Sequence, residues 1–229
     1  MEQTLKVIAK IHTAHKEKFG IPRQSGMVNL PAQIVFEPEY RDPNAVRGLD
    51  GFSHIWVLWQ FSKVKRDAWQ PTVRPPRLGG NKRMGVFATR SPFRPNSIAL
   101  SSLQLKSIEL TADQGPILHV TGADILDGTP IYDIKPYIAF TDSHPDAVCG
   151  FSEGYKGYKL MVELPEIFAT TIDEEFKQNI IELLACDPRP SYQNDPERVY
   201  GLDVAGYSIK FTVDGETLKV TEIEKSTEA

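Results

Sequence analysis

Between residues 5 and 140 the chain is cut into short extended segments by turn signals, and almost no helical periodicity runs through them. LKVIAKIH (5–12) roughly alternates apolar and polar residues, and QIVFEPEY (33–40) reads as a second short strand. FSHIWVLWQFS (52–62), rich in aromatic and branched residues, reads as a buried strand. MGVFATR, ALSSLQLKSIEL, PILHVTGADIL and the extended DGTPIYDIKPYIAF (127–140) follow. Seven or so such strands predict a mainly β chain with a barrel or sandwich core. HTAHKEKFGIPRQSGMV (12–28) reads as a loop, and RDPNAVRGLDGF as turns or a short helix. QPTVRPPRLGGNKRM (70–84) is punctuated by prolines and Gly79-Gly80 and reads as irregular.

The character changes near Pro165. Thr171 and Glu174 match a capping box. Phe176, Ile180, Leu183 and Leu184 share one helix face until Pro188 and Pro190 stop it. Tyr207, Ile209, Phe211 and Val213 then alternate, Asp214-Gly215 turns the chain, and Leu218 and Val220 return. Residues 165–229 therefore read as a small helix-plus-hairpin (α+β) domain following a β domain of residues 1–164.

Charge is unevenly spread. From Lys63 to Arg94 there are nine basic residues and one acidic one, Asp67, in a chain whose net charge is −4. Such a local basic patch suits an anionic ligand met at one place, and equally a solvated loop. Apolar residues, 41% of the chain, suffice for a core, yet no apolar run approaches the ~20 residues that span a bilayer. MEQTLKVIAK lacks the pattern of a signal peptide. Cys149 and Cys186 lie far apart, which favours reduced thiols and a cytoplasmic location over a disulfide. The five histidines show no metal-ligand spacing, so no metal site is expected. GxGxxG, a phosphate loop and GxSxG are all missing, which excludes most standard enzyme signatures.

RGLDGFSHIWVL, RPPRLGGNKRMGVFATRSPFRPNSIALS, DGTPIYDIKPY and DPRPSY occur in this order. Together they resemble the TsaA-like family of TrmO-type tRNA methyltransferases, from about Lys6 onward. DPRPSY favours the bacterial form with an extra C-terminal domain. The resemblance implies a single-sheet β-barrel that binds S-adenosylmethionine without a Rossmann fold. It implies a homodimer that methylates N6 of threonylcarbamoyladenosine at tRNA position 37, beside the anticodon.

The resemblance also nominates residues. Ser25, Gly26 and Met27 match the donor-contacting loop, and Asp124, Ile125, Leu126 and Asp127 a second donor segment. Ser62 and Lys63 follow the strand after which the family places contacts, although both differ from the residues expected there. The transfer needs in-line alignment and an acceptor for the proton on a weakly nucleophilic nitrogen. Asp127 is the first choice for that acceptor or for a donor contact; an ordinary Asp-Gly turn is the alternative. Asp133, Lys135 and Tyr137 share one side of a strand and fit the same pocket, or merely stabilise the barrel. Arg90 and Arg94, stiffened by prolines, suit carboxylate or phosphate. Arg90 is assigned to the donor or modified base, and Arg94 to structure or RNA. Arg77, Arg83, Arg189, Tyr192 and Arg198 are further RNA contacts. Trp56, Trp59 and Phe61 lie in a continuous apolar strand, which favours core packing over base stacking. Removal of residues 165–229 is expected to weaken tRNA methylation while largely sparing donor binding. Methylation of a small molecule, or RNA binding without catalysis, are the alternatives.

Overall fold

The structure, a computed structural model, describes residues 2–64, 69–78, 81–190 and 193–226, without the Arg77 side chain. Strands β1 (Ala9–Thr13), β2 (Pro31–Phe36) and β3 (His54–Gln60) come first. A two-stranded hairpin of β4 (Thr72–Val73) and β5 (Met84–Gly85) precedes β6 (Ile98–Thr111), β7 (Gly115–Thr121) and β8 (Thr129–Pro136). Six strands close into an antiparallel barrel in the order β1-β2-β7-β6-β3-β8, with β8 sealed against β1 through Ala9 and Ile131.

Alternation fills the barrel. Ala9 and Ile11, Ala32 and Ile34, Ile55 and Val57, and Leu103 and Leu105 point inward as every second residue of their strands. Each fully buried Ile or Leu contributes about 1.5–3 kcal/mol. Closure also removes the exposed sheet edges that invite aggregation.

Two segments differ from the sequence reading. MGVFATR is strand only at Met84–Gly85 and then folds into a 3₁₀ turn, Val86–Ala88, while the Pro-rich stretch read as irregular pairs across β4 and β5. The extended run to Phe140 stops at Pro136, and α1 (Ala139–Asp142) follows.

The second body is a sheet in the order β10-β11-β12-β9, formed by β9 (Met161–Glu163), β10 (Tyr200–Val204), β11 (Tyr207–Asp214) and β12 (Thr217–Lys225). β9 runs parallel to β12. Helices α2 (Glu166–Ala169) and α3 (Glu174–Ala185) precede β10, and α3 buries Ile180, Leu183 and Leu184. No capping box forms: the N-cap is Asp173, without a side-chain cap bond. The Asp173 carboxylate instead accepts from Tyr207 Oη at 2.7 Å and Lys225 Nζ at 3.0 Å.

This second core is not confined to the C-terminal residues. Val28, Leu30 and Leu160 are buried in it, and Phe19 and Met27 pack against it. Gly20 is pressed so close that a Cβ there would lie 2.1 Å from Leu202 Cδ1. The loop between β1 and β2 thus belongs to both bodies.

Candidate functional site

A cleft of about 530 Å³ opens beside the barrel. The β1–β2 loop (Lys18, Ile21 to Gln24) forms one wall, and the end of β3 with its turn (Trp56, Trp59, Phe61 to Val64) another. The Arg90–Arg94 loop, the start of β6 and the segment after β7 complete it. That last segment leaves the sheet at Gly122, whose φ of +85 turns the chain. A Cβ at Gly122 would sit 3.3 Å from the Gly26 backbone, so the two loops meet backbone to backbone, joined by Gly26 N–H to Gly122 O at 2.9 Å.

Asp124 is the one acidic side chain among the described residues lining the cleft. It accepts a 2.6 Å hydrogen bond from Ser101 Oγ, which accepts from Trp59 Nε1 at 3.0 Å. Burial pushes the Asp124 carboxyl above the usual carboxylate range, against the downward pull of the Ser101 hydrogen bond and the Arg90 charge. Arg90 is exposed, and its guanidinium donates to Gln24 Oε1. Arg94 turns back on its own loop, donating to Thr89 O at 2.9 Å and Ser91 O at 3.3 Å. The proline-flanked pair therefore splits: one arginine is presented to the cleft, and the other holds the loop that presents it.

Of the residues nominated from sequence, Ser62, Lys63, Arg90, Arg94, Asp124 and Leu126 line this cleft. Ser25 lies at its edge, its Oγ accepting from Ser102 N–H at 3.3 Å. Ile125 is fully buried in the barrel core, and Met27 packs against the second core. Asp127 does not line the cleft. Its Oδ1 accepts from Thr13 N–H at 3.0 Å and its Oδ2 from Lys16 Nζ at 2.9 Å. Partial burial raises its pKa, but the Lys16 and Thr13 hydrogen bonds outweigh that and hold the carboxyl low. Asp133 and Lys135 form an exposed 2.8 Å ion pair on β8. Tyr137 packs its ring 5.4 Å from Trp56, whose Nε1 donates to Asp142 at 2.8 Å.

The RNA candidates are scattered. Arg83 is exposed on β5's approach and donates to Thr72 Oγ1. Arg189 is only 8% exposed, ion-paired with Asp187 at 3.0 Å inside the second body. Arg198 lies 5.4 Å over the Tyr200 ring. Tyr192 and the Arg77 side chain lie outside the described residues. Core packing holds for Trp59, 5% exposed, while Trp56 and Phe61 are half-buried and form cleft wall.

Sequence reasoning missed Ser101 and Lys18. Ser101 had a signal: a hydroxyl in register with the inward-facing Leu103 and Leu105 of the same strand needs a buried partner. Lys18, whose Nζ reaches Lys63 O at 2.9 Å, had none.

Barrel and cleft together define a β-barrel protein with a cleft that brings an acid, a guanidinium and aromatic walls around one space. Residues 10–143 match the family model of the tRNA-methyltransferase O N-terminal domain, and residues 162–226 that of the TrmO C-terminal domain. The chain belongs to the tRNA-methyltransferase O family. It is 38% identical over 226 residues to the tRNA (adenine(37)-N6)-methyltransferase of Escherichia coli K12, covering 95% of this chain and 96% of that one. It is also 38% identical to a putative S-adenosylmethionine-dependent methyltransferase of Pseudomonas aeruginosa, covering 88% and 89%. The crystal structure of TrmO from Pseudomonas aeruginosa superposes with a TM-score of 0.77 at 28% identity, covering 98% of this chain and all of that one.

Proposed function

We propose that this chain methylates N6 of threonylcarbamoyladenosine at position 37 of tRNA, with S-adenosylmethionine as donor. The observation that carries the chemistry is Asp124, the one carboxylate among the described residues of a cleft whose walls also bring cations, aromatic rings and aliphatic side chains. The cleft suits this donor. Trp56 and Phe61 offer π-faces to a cation, and Arg90 a planar fork to a carboxylate.

When bound, the donor supplies a methyl group on a positively charged sulfur. The protein's own task is positioning and proton transfer. The target nitrogen is a poor nucleophile, because its lone pair is delocalised. Asp124 accepts its proton. A carboxylate whose pKa is raised by burial is the stronger base, and Ser101, fixed by Trp59, keeps it aimed into the cleft. Asp127, further along the same segment, holds that segment's end against β1 through Thr13 and Lys16. Ser62, Lys63 and Leu126 shape the donor's surroundings. Exposed Arg83 and Arg198 meet RNA phosphates.

A cytoplasmic protein is the reading that suits a tRNA substrate. A homodimer is supported by exposed apolar side chains at Phe87, Leu100 and Phe140, 73%, 52% and 90% exposed.

The test is mass spectrometry of nucleosides from tRNA incubated with purified protein and S-adenosylmethionine, with tRNA lacking the threonylcarbamoyl group as second substrate. The methylated, threonylcarbamoylated nucleoside should appear with the first substrate, and Asp124→Asn should slow its formation by about 100-fold or more. Donor bound but no tRNA product would sink the assignment; full activity of Asp124→Asn would sink the role of Asp124. Light scattering of the same preparation should give the mass of two chains, and a monomer mass would remove the dimer.

A further inference from the structure

The β1–β2 loop is held by four consecutive residues, each tied to a different part of the molecule. Arg23 Nη2 donates to the main-chain oxygens of Asp187 and Arg189, at 3.4 and 3.1 Å. Gln24 accepts from Arg90. Ser25 accepts from Ser102 N–H on β6, and Gly26 donates to Gly122, two residues before Asp124. The C-terminal turn, the arginine loop, the barrel wall and the Asp124 segment therefore converge on residues 23–26.

The first tie is built from inside the second body. Asp187 sits at φ 55, in the left-handed region, at the end of α3. Its carboxylate accepts from Arg189 Nε at 3.0 Å and Tyr158 Oη at 3.2 Å, and both Asp187 and Arg189 are under a tenth exposed. A turn locked this way presents its two carbonyls at fixed positions. Apolar contacts of Met27, Val28 and Leu30 already join the bodies. The Arg23 bonds are therefore not required as glue, and they fall immediately beside the residue that holds Arg90.

We propose that Arg23 is a positioning residue through which the C-terminal body sets the cleft loop, and with it Gln24 and Arg90, for the methyl donor. The inference rests on the donor reading above. A loop without regular structure pays ordering entropy when a ligand binds, and an anchor within it, next to the residue that holds Arg90, pays that cost in advance. Arg23 acts on donor affinity more than on the chemical step.

The experiment is calorimetric titration of the full chain with S-adenosylmethionine, beside steady-state kinetics on tRNA. Arg23→Ala should weaken donor binding about 10-fold, while kcat at saturating donor changes less than about 3-fold. Arg23→Lys, which keeps the charge but loses the fork, should fall between. Tyr158→Phe, at a residue that does not line the cleft, should weaken donor binding in the same direction and speed hydrogen exchange at Gln24–Met27. The double variant should be no weaker than Arg23→Ala alone, because both act through one turn. Additive losses would mean that Arg23 touches the donor directly and would overturn the proposal. So would unchanged affinity in Arg23→Ala, or, if that variant does not fold, in Tyr158→Phe. A wild-type chain that binds no donor would instead defeat the donor reading.

Discussion

Single residues in this molecule are legible from sequence only when their partners are near in the chain. Arg94 bonds within five residues, and its pairing with a proline-framed turn follows from the local sequence. Ser101 and Asp124 become a pair only once β6 and the segment after β7 are side by side, and Trp59 joins them only across the β3–β6 ladder. His15 is a second case. It is 3% exposed, and burial pushes its pKa from 6.5 down to about 4. The unfolded chain therefore takes up a proton between pH 6.5 and 4 that the folded chain refuses. The stability contributed by a neutral His15 is complete above pH 6.5 and is lost as the pH falls toward 4, by at most about 3 kcal/mol. Urea melts of wild type should lose stability across this window, and those of His15→Gln should show a flatter slope. Equal slopes would show that His15 is not kept neutral.

Elements follow their period where one face alone is buried. β1 and β11 were readable because inward and outward residues alternate, and β3 because its aromatic and branched residues run unbroken from Ile55 to Trp59. The start of α3 was not, because Tyr207 and Lys225 claim the carboxylate of its N-cap from across the sheet. Nor was the β4–β5 pair, since a two-residue ladder leaves no period to detect. The β10–β11 hairpin has a local flaw. Val204 pairs with Tyr207 across two residues at positive φ, Ala205 at 51° and Gly206 at 81°. Both central residues of such a turn favour Asn-Gly, and a β-carbon in the left-handed region costs about 1–2 kcal/mol. Ala205→Asn should stabilise the chain by about 0.5–1 kcal/mol, read as a higher melting temperature. A lower one would mean that the contact of Ala205 with the second core outweighs the backbone strain.

At the scale of the whole molecule, a division near residue 165 follows the change of periodicity, but the cores do not respect it. β9 pairs with β12, and Val28 and Leu30 are buried among α3 and β10–β12. The sequence offered no sign of this, because a loop of polar and small residues says nothing about what covers its few apolar ones. Removing residues 165–229 strips that cover and the carbonyls that hold Arg23. The shortened chain should therefore lose donor affinity as well as tRNA methylation, contrary to the expectation from sequence. Calorimetry on a truncated chain that still shows strand signal by circular dichroism decides the matter. Donor binding within about 2-fold of wild type would restore the independent-domain picture.

The shared core also governs how the chain is made. Ribosomes release Val28 and Leu30 early, yet the strands that cover them are not complete until Ile223 has emerged. For nearly the whole of synthesis these side chains wait uncovered, first beside a half-built barrel and, once β8 has emerged, beside a finished one, a state open to chaperones and to misassembly.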